Sequence, residues 1–299
     1  MNSNEWSAWP APAKLNLFLH ITGRRDDGYH MLQTVFQLLD WGDSVNLRVR
    51  DDGEITRHGD VPDISPDEDL CVRAARLLQQ HAARGHGVDI QLDKQIPVGG
   101  GLGGGSSDAA TVLVALNELW ACGLDVEGLA TLGLRLGADV PVFVRGYSAF
   151  AEGIGEKLTK IHLAERWFLV LDPAVHAPTD ELFQSVELTR DSPATTISCF
   201  LAGEITCNAF QALVRRRYPA VERALTWLEA FGAPRLSGSG ACVFLEMVDA
   251  DQGTELLARV PTDLRAFMAR GVNHSPLLDA VANWRRTGNT GFGWDVAKR

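Results

Sequence analysis

An α+β protein built in two successive blocks is the fold class the sequence predicts, on three observations. Strand-like alternation is gathered before residue 94, strongly apolar helical patterns fill the stretch from about 105 to 137, and from 167 to 270 strands and helices alternate. At 299 residues the chain can bury one large or two modest cores.

The elements follow in order. Leu15, Leu17, Leu19 and Ile21 alternate with Asn16, Phe18 and His20, the period of a half-buried strand, with Lys14 at its beginning. Residues 45–50 and 88–93 alternate in the same way, and 69–84 carries Leu70, Ala74, Leu77 and Leu78 as one stripe of a helix. Two helices follow a glycine-rich segment, with Gly123 and Gly137 as their expected C-terminal caps. The second block opens on WFLVLDP (167–173), an apolar strand stopped by Asp-Pro. Helices at 208–217 and 219–231, a glycine-punctuated turn entering a strand over 235–246, a helix at about 251–260 and a strand at 264–270 complete it. Residues 284–299 lack periodicity and read as a tail. The expected division is 1–163, 164–283 and a tail of 284–299.

A formal charge of −10 and a pI near 5.3 argue against nucleic acid or an anionic membrane as partner, since both require clustered positive charge. Cys71, Cys122, Cys199, Cys207 and Cys242 are scattered without CxxC spacing, which suits neither a disulfide framework nor a zinc site. Reduced core thiols and no dedicated metal site are expected. The start carries no basic and apolar leader, and no apolar run reaches the roughly 18 residues that span a bilayer, so a cytoplasmic protein is expected.

The most informative segment is PVGGGLGGGSSDAA (97–110), six glycines and two serines between a strand and an apolar helix. Glycine brings main-chain N–H groups close to a bulky anion, and the following helix adds unpaired N–H donors and the positive end of its dipole. Ser106 and Ser107 can cap that helix or donate to the anion. The loop is therefore read as a phosphate site. It is not a Walker loop, because Gly105 is followed by Ser106, Ser107 and Asp108 rather than by Lys and a hydroxyl residue. Gly99, Gly101 and Gly104 satisfy G-x-G-x-x-G, but the acidic partner nearest the required spacing, Asp125, falls between two helices, badly placed for a ribose.

Other candidates carry two readings each. Lys14 is a solvated strand-edge lysine or a catalytic cation. Asp139, in LGADVPVF, is a cap of a short turn or a catalytic carboxylate, and Asp27-Gly28-Tyr29-His30 covers a loop or forms a binding turn. Gly238-Ser239-Gly240 is either a tight connection or a second functional turn. No HExxH, GxSxG or cysteine–histidine cluster competes for the chemistry.

Taken together, PAPAKLNLFLHITGRRDDGYHMLQTVFQ, the glycine-serine segment, LGADVPVFVRGYSAFAEGIGE and RLSGSGACVF resemble the GHMP kinases, from about residue 9 to about 280. The resemblance implies a two-domain GHMP kinase fold, with a ribosomal-protein-S5-domain-2-like N-terminal domain and a ferredoxin-like C-terminal domain. It implies transfer of the ATP γ-phosphoryl group, with Mg²⁺, to the tertiary 2-hydroxyl of a cytidyl diphosphate substrate, 4-diphosphocytidyl-2-C-methylerythritol, on the non-mevalonate route to isoprenoids. The family's catalytic pair then falls on Lys14 and Asp139. Its ATP loop falls on Pro97, Val98, Gly99, Gly100, Gly101, Leu102, Gly103, Gly104, Gly105, Ser106 and Ser107, and its cytidine pocket on Tyr29, His30 and Phe183, with Asn16 and Thr179 nearby. A monomer or homodimer is expected. The alternatives are another GHMP small-molecule kinase and a non-catalytic nucleotide-binding regulator of the same fold.

Overall fold

The computed structural model describes residues 5–59, 65, 68–205 and 207–294; residues 1–4 of the expected first block and 295–299 of the expected tail lie outside the described residues. The alternating segment at 15–21 is the middle of a long strand, β1 (Ser7–Arg24), which turns at the Asp-Gly pair into β2 (His30–Arg50). There follow β3 (Ile55–His58), α1 (Leu70–Gln79), β4 (Gly87–Asp93), α2 (Gly104–Leu119), α3 (Val126–Leu134), α4 (Val140–Arg145), β5 (Ala149–Glu152) and β6 (Lys157–Lys160). The second block comprises β7 (Trp167–Asp172), α5 (Thr179–Gln184), α6 (Ile197–Leu201), α7 (Gln211–Arg217), α8 (Pro219–Glu229), β8 (Arg235–Leu236), β9 (Val243–Met247), α9 (Ala250–Leu257), β10 (Arg265–Val272) and α10 (Pro276–Thr287).

β2 is the organising strand: β1, β4, β5 and β10 all pair with it antiparallel. In the second block the order β10-β7-β9-β8, all antiparallel, is that of a ferredoxin-like sheet, and Gly271↔Leu39 and Val272↔Leu38 join it to the first. One core packs α1 to α4 and α10 on the first sheet, a second packs α7, α8 and α9 on the other. A third lies at their junction, and Leu15, Phe18, Leu102, Phe168 and Phe244 all enter it. α2 is buried continuously from Ser107 to Asn117, as an apolar helix at the centre of a domain must be.

Several expectations are corrected. α2 begins at Gly104 behind Gly103, so Ser106 and Ser107 stand inside its first turn and do not cap it. Gly123 and Gly137 do not cap their helices: α2 stops at Leu119 and Ala121, two residues before Gly123, is already left-handed, while α3 ends at Leu134 and Gly137 is not left-handed. The Asn117 side chain holds both the N–H and the carbonyl of Leu124, which fixes that turn without a glycine cap. Asp125 N-caps α3 by accepting from the Gly128 N–H.

The boundary expected at 283/284 falls inside α10, whose stripe Leu277, Ala280, Val281 and Trp284 packs on the first core, with Trp284 against Trp9. Beyond it, the Trp294 indole donates to the Asp43 carbonyl at 3.0 Å, so the described part of the tail is docked. Nor are all the thiols in the core: Cys71 and Cys242 are buried, Cys122 and Cys199 half-buried and Cys207 exposed. Among the described residues no helix is long and apolar enough to cross a membrane.

Candidate active site

Lys14 reaches the site because β1 is irregular. Register shifts between Pro12 and Lys14 and between Asn16 and Leu19 mark bulges, which re-aim a strand locally, and the i, i+2 spacing puts Lys14 and Asn16 on one face. The Lys14 side chain is 3% exposed and its ammonium has three oxygen partners: Asn16 Oδ1 at 2.5 Å, Gly101 O at 2.9 Å and Asp139 Oδ2 at 3.4 Å. A buried ammonium has three donors to satisfy, and this one satisfies all of them. It also lies 5.4 Å over the Phe36 ring. The solvated-lysine reading is excluded.

Asp139 occupies the N-cap position of α4, yet its side chain caps nothing. Pro141 in the first turn has no N–H to satisfy, so the carboxylate is free to turn to Lys14, and at 34% exposure it still faces the cleft.

The glycine loop is held by its carbonyls. Gly99 O and Gly100 O accept from the N–H groups of Ala241 and Cys242, Gly101 O from Lys14 Nζ and Ser237 Oγ, and Leu102 O from the Lys14 N–H. The second glycine turn is therefore the clamp on the first. Gly101 lies at φ +74°, and a Cβ there would meet Ser237 O at 2.0 Å. With its carbonyls turned to the protein, the loop leaves N–H groups, and those of the first turn of α2, for the cleft. Leu102 is buried in the junction core as the loop's anchor, and Ser107 is wholly buried with its Oγ unpartnered among the described residues.

The cleft, about 490 Å³, runs between the two blocks, with Lys14, Asn16, Asp139, the glycine loop, Thr179 and Phe183 on its walls. Thr179 Oγ1 is 2.7 Å from Ser239 Oγ, which joins α5 to the clamp. Asn16 is fixed on both sides, its N–H to Ser237 Oγ and its Nδ2 to Thr34 Oγ1. Tyr29, 60% exposed, and His30 do not line the cleft as it stands; the His30 ring stacks on Phe183 with centroids 4.7 Å apart.

Sequence reasoning missed three sets of residues. Lys94 is bracketed by Asp43, which also accepts the N–H groups of Gln95 and Ile96, and by Asp108 at 2.6 Å. Burial works against the charge on Lys94, but Asp108 and Asp43 outweigh it and hold its pKa above the usual value. Burial in turn pushes the Asp108 carboxyl up to about 7 against the pull of Lys94. This cluster rivets the entry to the glycine loop. Arg190 donates from Nε to His30 Nε2 at 3.1 Å and from Nη2 to Phe183 O and Ser185 O at 2.7 Å each. Ser237 completes the clamp. No local signal could have found these roles, because Lys94 meets Asp43, Arg190 meets His30 and Ser237 meets Gly101 across 50 or more residues of chain.

A two-lobed small-molecule kinase is the class that this fold and cleft define. The N-terminal domain model of the GHMP kinases matches residues 69–147 and their C-terminal model residues 197–266. A 4-diphosphocytidyl-2-C-methyl-D-erythritol kinase of Xanthomonas axonopodis pv. citri is 58% identical over 277 residues, covering 92% of this chain and 94% of that one. One from Thiobacillus denitrificans is 56% identical over 274 residues, covering 92% and 98%. A crystal structure of 4-(cytidine 5'-diphospho)-2C-methyl-D-erythritol kinase superposes with a TM-score of 0.73 at 31% identity, covering 90% of this chain and all of that one. The mevalonate kinase of Methanococcus jannaschii shares the fold at a TM-score of 0.62 and 18% identity, covering 91% and 99%. The chain belongs to the GHMP kinase family, among its 4-diphosphocytidyl-2-C-methyl-D-erythritol kinases.

Proposed function

We propose that this chain phosphorylates the 2-hydroxyl of 4-diphosphocytidyl-2-C-methyl-D-erythritol with ATP, a step toward isoprenoid precursors. The observation that carries the reading is the meeting of Lys14 and Asp139 beside a glycine loop whose carbonyls from Gly99 to Leu102 are engaged by the protein. The triphosphate lies along the loop's N–H groups, and the tertiary hydroxyl is oriented by Asp139. Phosphoryl transfer has a loose transition state that needs little base strength, so Asp139 acts chiefly by alignment and receives the proton as the O–P bond forms. Lys14 holds the carboxylate and the loop in one geometry and offsets charge on the transferring group.

ATP carries Mg²⁺, which neutralises the β and γ oxygens. Among the described residues no three His, Cys, Asp or Glu side chains converge on a metal site. The Asp139 carboxylate and the Ser106 hydroxyl, both on the cleft wall, suit an ion that keeps most of its waters and arrives with the nucleotide, and these two would hold it.

His30 reads the base. A guanidinium only donates, so His30 Nε2 must accept from Arg190 and the ring proton sits on Nδ1. Burial, then the charges of Arg190 and Arg24, lower the His30 pKa below 6.5 and favour this neutral form. An Nδ1–H donor matches N3 of cytosine, an acceptor, and opposes the N3–H of uracil. Arg190→Met is therefore expected to narrow the cytidyl-over-uridyl preference in kcat/KM, as is His30→Ala. One unpaired buried group is worth about 1–3 kcal/mol, or roughly 5- to 150-fold. Phe183→Ala should weaken both analogues alike. As pH falls through the lowered pKa of His30, Nε2 takes up a proton and loses its contact with Arg190, but the imidazolium keeps its Nδ1–H, so the cytidyl preference is expected to persist. An unchanged preference in both Arg190→Met and His30→Ala would assign base reading to backbone groups.

The activity is tested by incubating the protein with Mg-ATP and a substrate panel and following products by phosphorus NMR. Phosphorylation of the cytidyl diphosphate substrate, with mevalonate and galactose untouched, is expected. Turnover of mevalonate alone overturns the assignment, and ATP binding without any turnover makes the chain a nucleotide-binding regulator.

A further inference from the structure

Outside the cleft, the structure brings together a cysteine and a histidine 187 residues apart in the chain. His20, on β1, is 4% exposed. Its Nδ1 lies 3.1 Å from the Pro193 carbonyl, which can only accept, so Nδ1 carries a proton and Nε2 is left for the Cys207 sulfur at 3.0 Å. The Phe18 ring meets His20 edge-on, with centroids 5.2 Å apart, and fixes its plane. The other side of Cys207 is open to solvent. A thiol hydrogen-bonded to a buried, oriented imidazole and reachable from outside has the geometry of an activated nucleophile.

The remaining thiols provide the contrast. Cys71 and Cys242 are fully buried, and burial pushes their thiols well up, away from the reactive thiolate. Burial also raises Cys122. No hydrogen-bonded base is seen at these three or at Cys199 among the described residues. Cys207 is distinct in combining exposure with a base.

Its position links it to the cleft. Cys207 O accepts from the Leu19 N–H at 3.1 Å and the Ala209 N–H returns to Leu19 O at 2.8 Å, so residues 207–209 are stitched to the strand that carries Lys14 and Asn16. The neighbouring Asn208 is buried, and its Nδ2 donates to Leu236 O and Gly238 O at 2.8 Å each. Gly238 opens the turn that clamps the glycine loop. A bulky group on Cys207 must part its sulfur from His20, and Asn208 is the adjacent residue.

We propose that Cys207, with His20 as its base, is a modification site for small disulfides such as glutathione disulfide, and that occupying it loosens the nucleotide clamp. His20 Nε2 takes the thiol proton as the Cys207 sulfur attacks one sulfur of the disulfide. The S–S bond breaks, and the departing thiolate takes the proton back from His20. Protein thiol and disulfide become mixed disulfide and free thiol, with the small disulfide as the only oxidant.

Limiting iodoacetamide followed by peptide mass mapping tests the site. Cys207 should be alkylated about tenfold faster than Cys199 and faster than free N-acetylcysteine at the same pH, and His20→Gln should remove that advantage while the other thiols keep their rates. A Cys207 rate no greater than that of N-acetylcysteine in the unaltered protein overturns the proposal, whether or not His20→Gln folds; so does an unchanged rate in a folded His20→Gln. Treatment with glutathione disulfide should then raise KM for ATP about tenfold, reversibly with dithiothreitol, because a clamp contact is lost. Cys207→Ser should keep the untreated activity and resist the treatment. Full modification of Cys207 with unchanged KM overturns the link to the clamp.

Discussion

Asp139→Asn and Lys14→Ala are each expected to lower kcat by about 10²- to 10⁴-fold, the span for a group that positions or moves a proton in the transition state. Both variants should remain folded, for different reasons. Asp139 is one-third exposed and caps no helix, so its amide analogue leaves α4 intact. Removing the Lys14 ammonium leaves Asn16 Oδ1 without one donor, but Gly101 O keeps Ser237 Oγ and Asn16 keeps its bond to Thr34. The cost is about 1–3 kcal/mol, visible as a lower Tm with a cooperative transition. Because the two groups act as one unit 3.4 Å apart, the double variant should be little slower than either single. Near-normal kcat in Asp139→Asn removes this residue from the chemistry, and multiplicative losses in the double variant mean that the pair acts separately.

Gly101→Ala is expected to raise KM for ATP strongly, by about 10²-fold, and to raise it far less for the cytidyl substrate. Two effects combine at this position. The backbone is at φ +74°, where an L side chain is strained, and the added carbon would sit 2.0 Å from Ser237 O, which is backbone and has little room to yield. The loop must lift off its clamp, and the carbonyl that Lys14 and Ser237 both hold moves with it. Gly123→Ala is the control: its φ is +72°, but nothing lies within 4 Å of the added carbon, so only the strain of about 1–2 kcal/mol remains. Steady-state kinetics on both substrates, with thermal melting, separate the effects. If Gly101→Ala changed both KM values equally, the defect would be global, and if it changed neither the loop would not be held as described.

Most of the longer elements were legible because each carries its own period, whereas the short β3, β5, β6, α4, α5 and α6 carry too few residues to show one. The alternation of Leu15 to Ile21 and the stripe at Leu70, Ala74, Leu77 and Leu78 are local properties, and β1 and α1 stand where they indicate. Element ends were less legible. The turn after α2 is closed by Asn117 reaching Leu124 rather than by the glycine that the pattern suggests, and α10 runs past residue 283, with Trp284 packed on the distant Trp9, before the left-handed Gly288 closes it. For the candidate site, Lys14, Asp139 and the glycine loop were found from the sequence, the first two only through the resemblance, since a strand-edge lysine and a carboxylate before proline each have commoner uses.

What the sequence determined by itself was the strands and helices with a clear period, the glycine-rich segment at 97–107 that leads into an apolar helix, and the family that the motifs resemble, all of which depend on neighbours along the chain. What only the tertiary structure decided was which groups meet. Ser237 and the turn after it engage the carbonyls of Gly99, Gly100 and Gly101, Asp43 seats Lys94, Arg190 sets the proton on His30, and His20 faces Cys207. Each is a contact between residues 50 or more apart in the chain, fixed by β2 pairing with four strands and by a core shared between the two blocks. A hydrogen bond depends on distances of a few tenths of an ångström, and those distances arise only once the distant segments are packed.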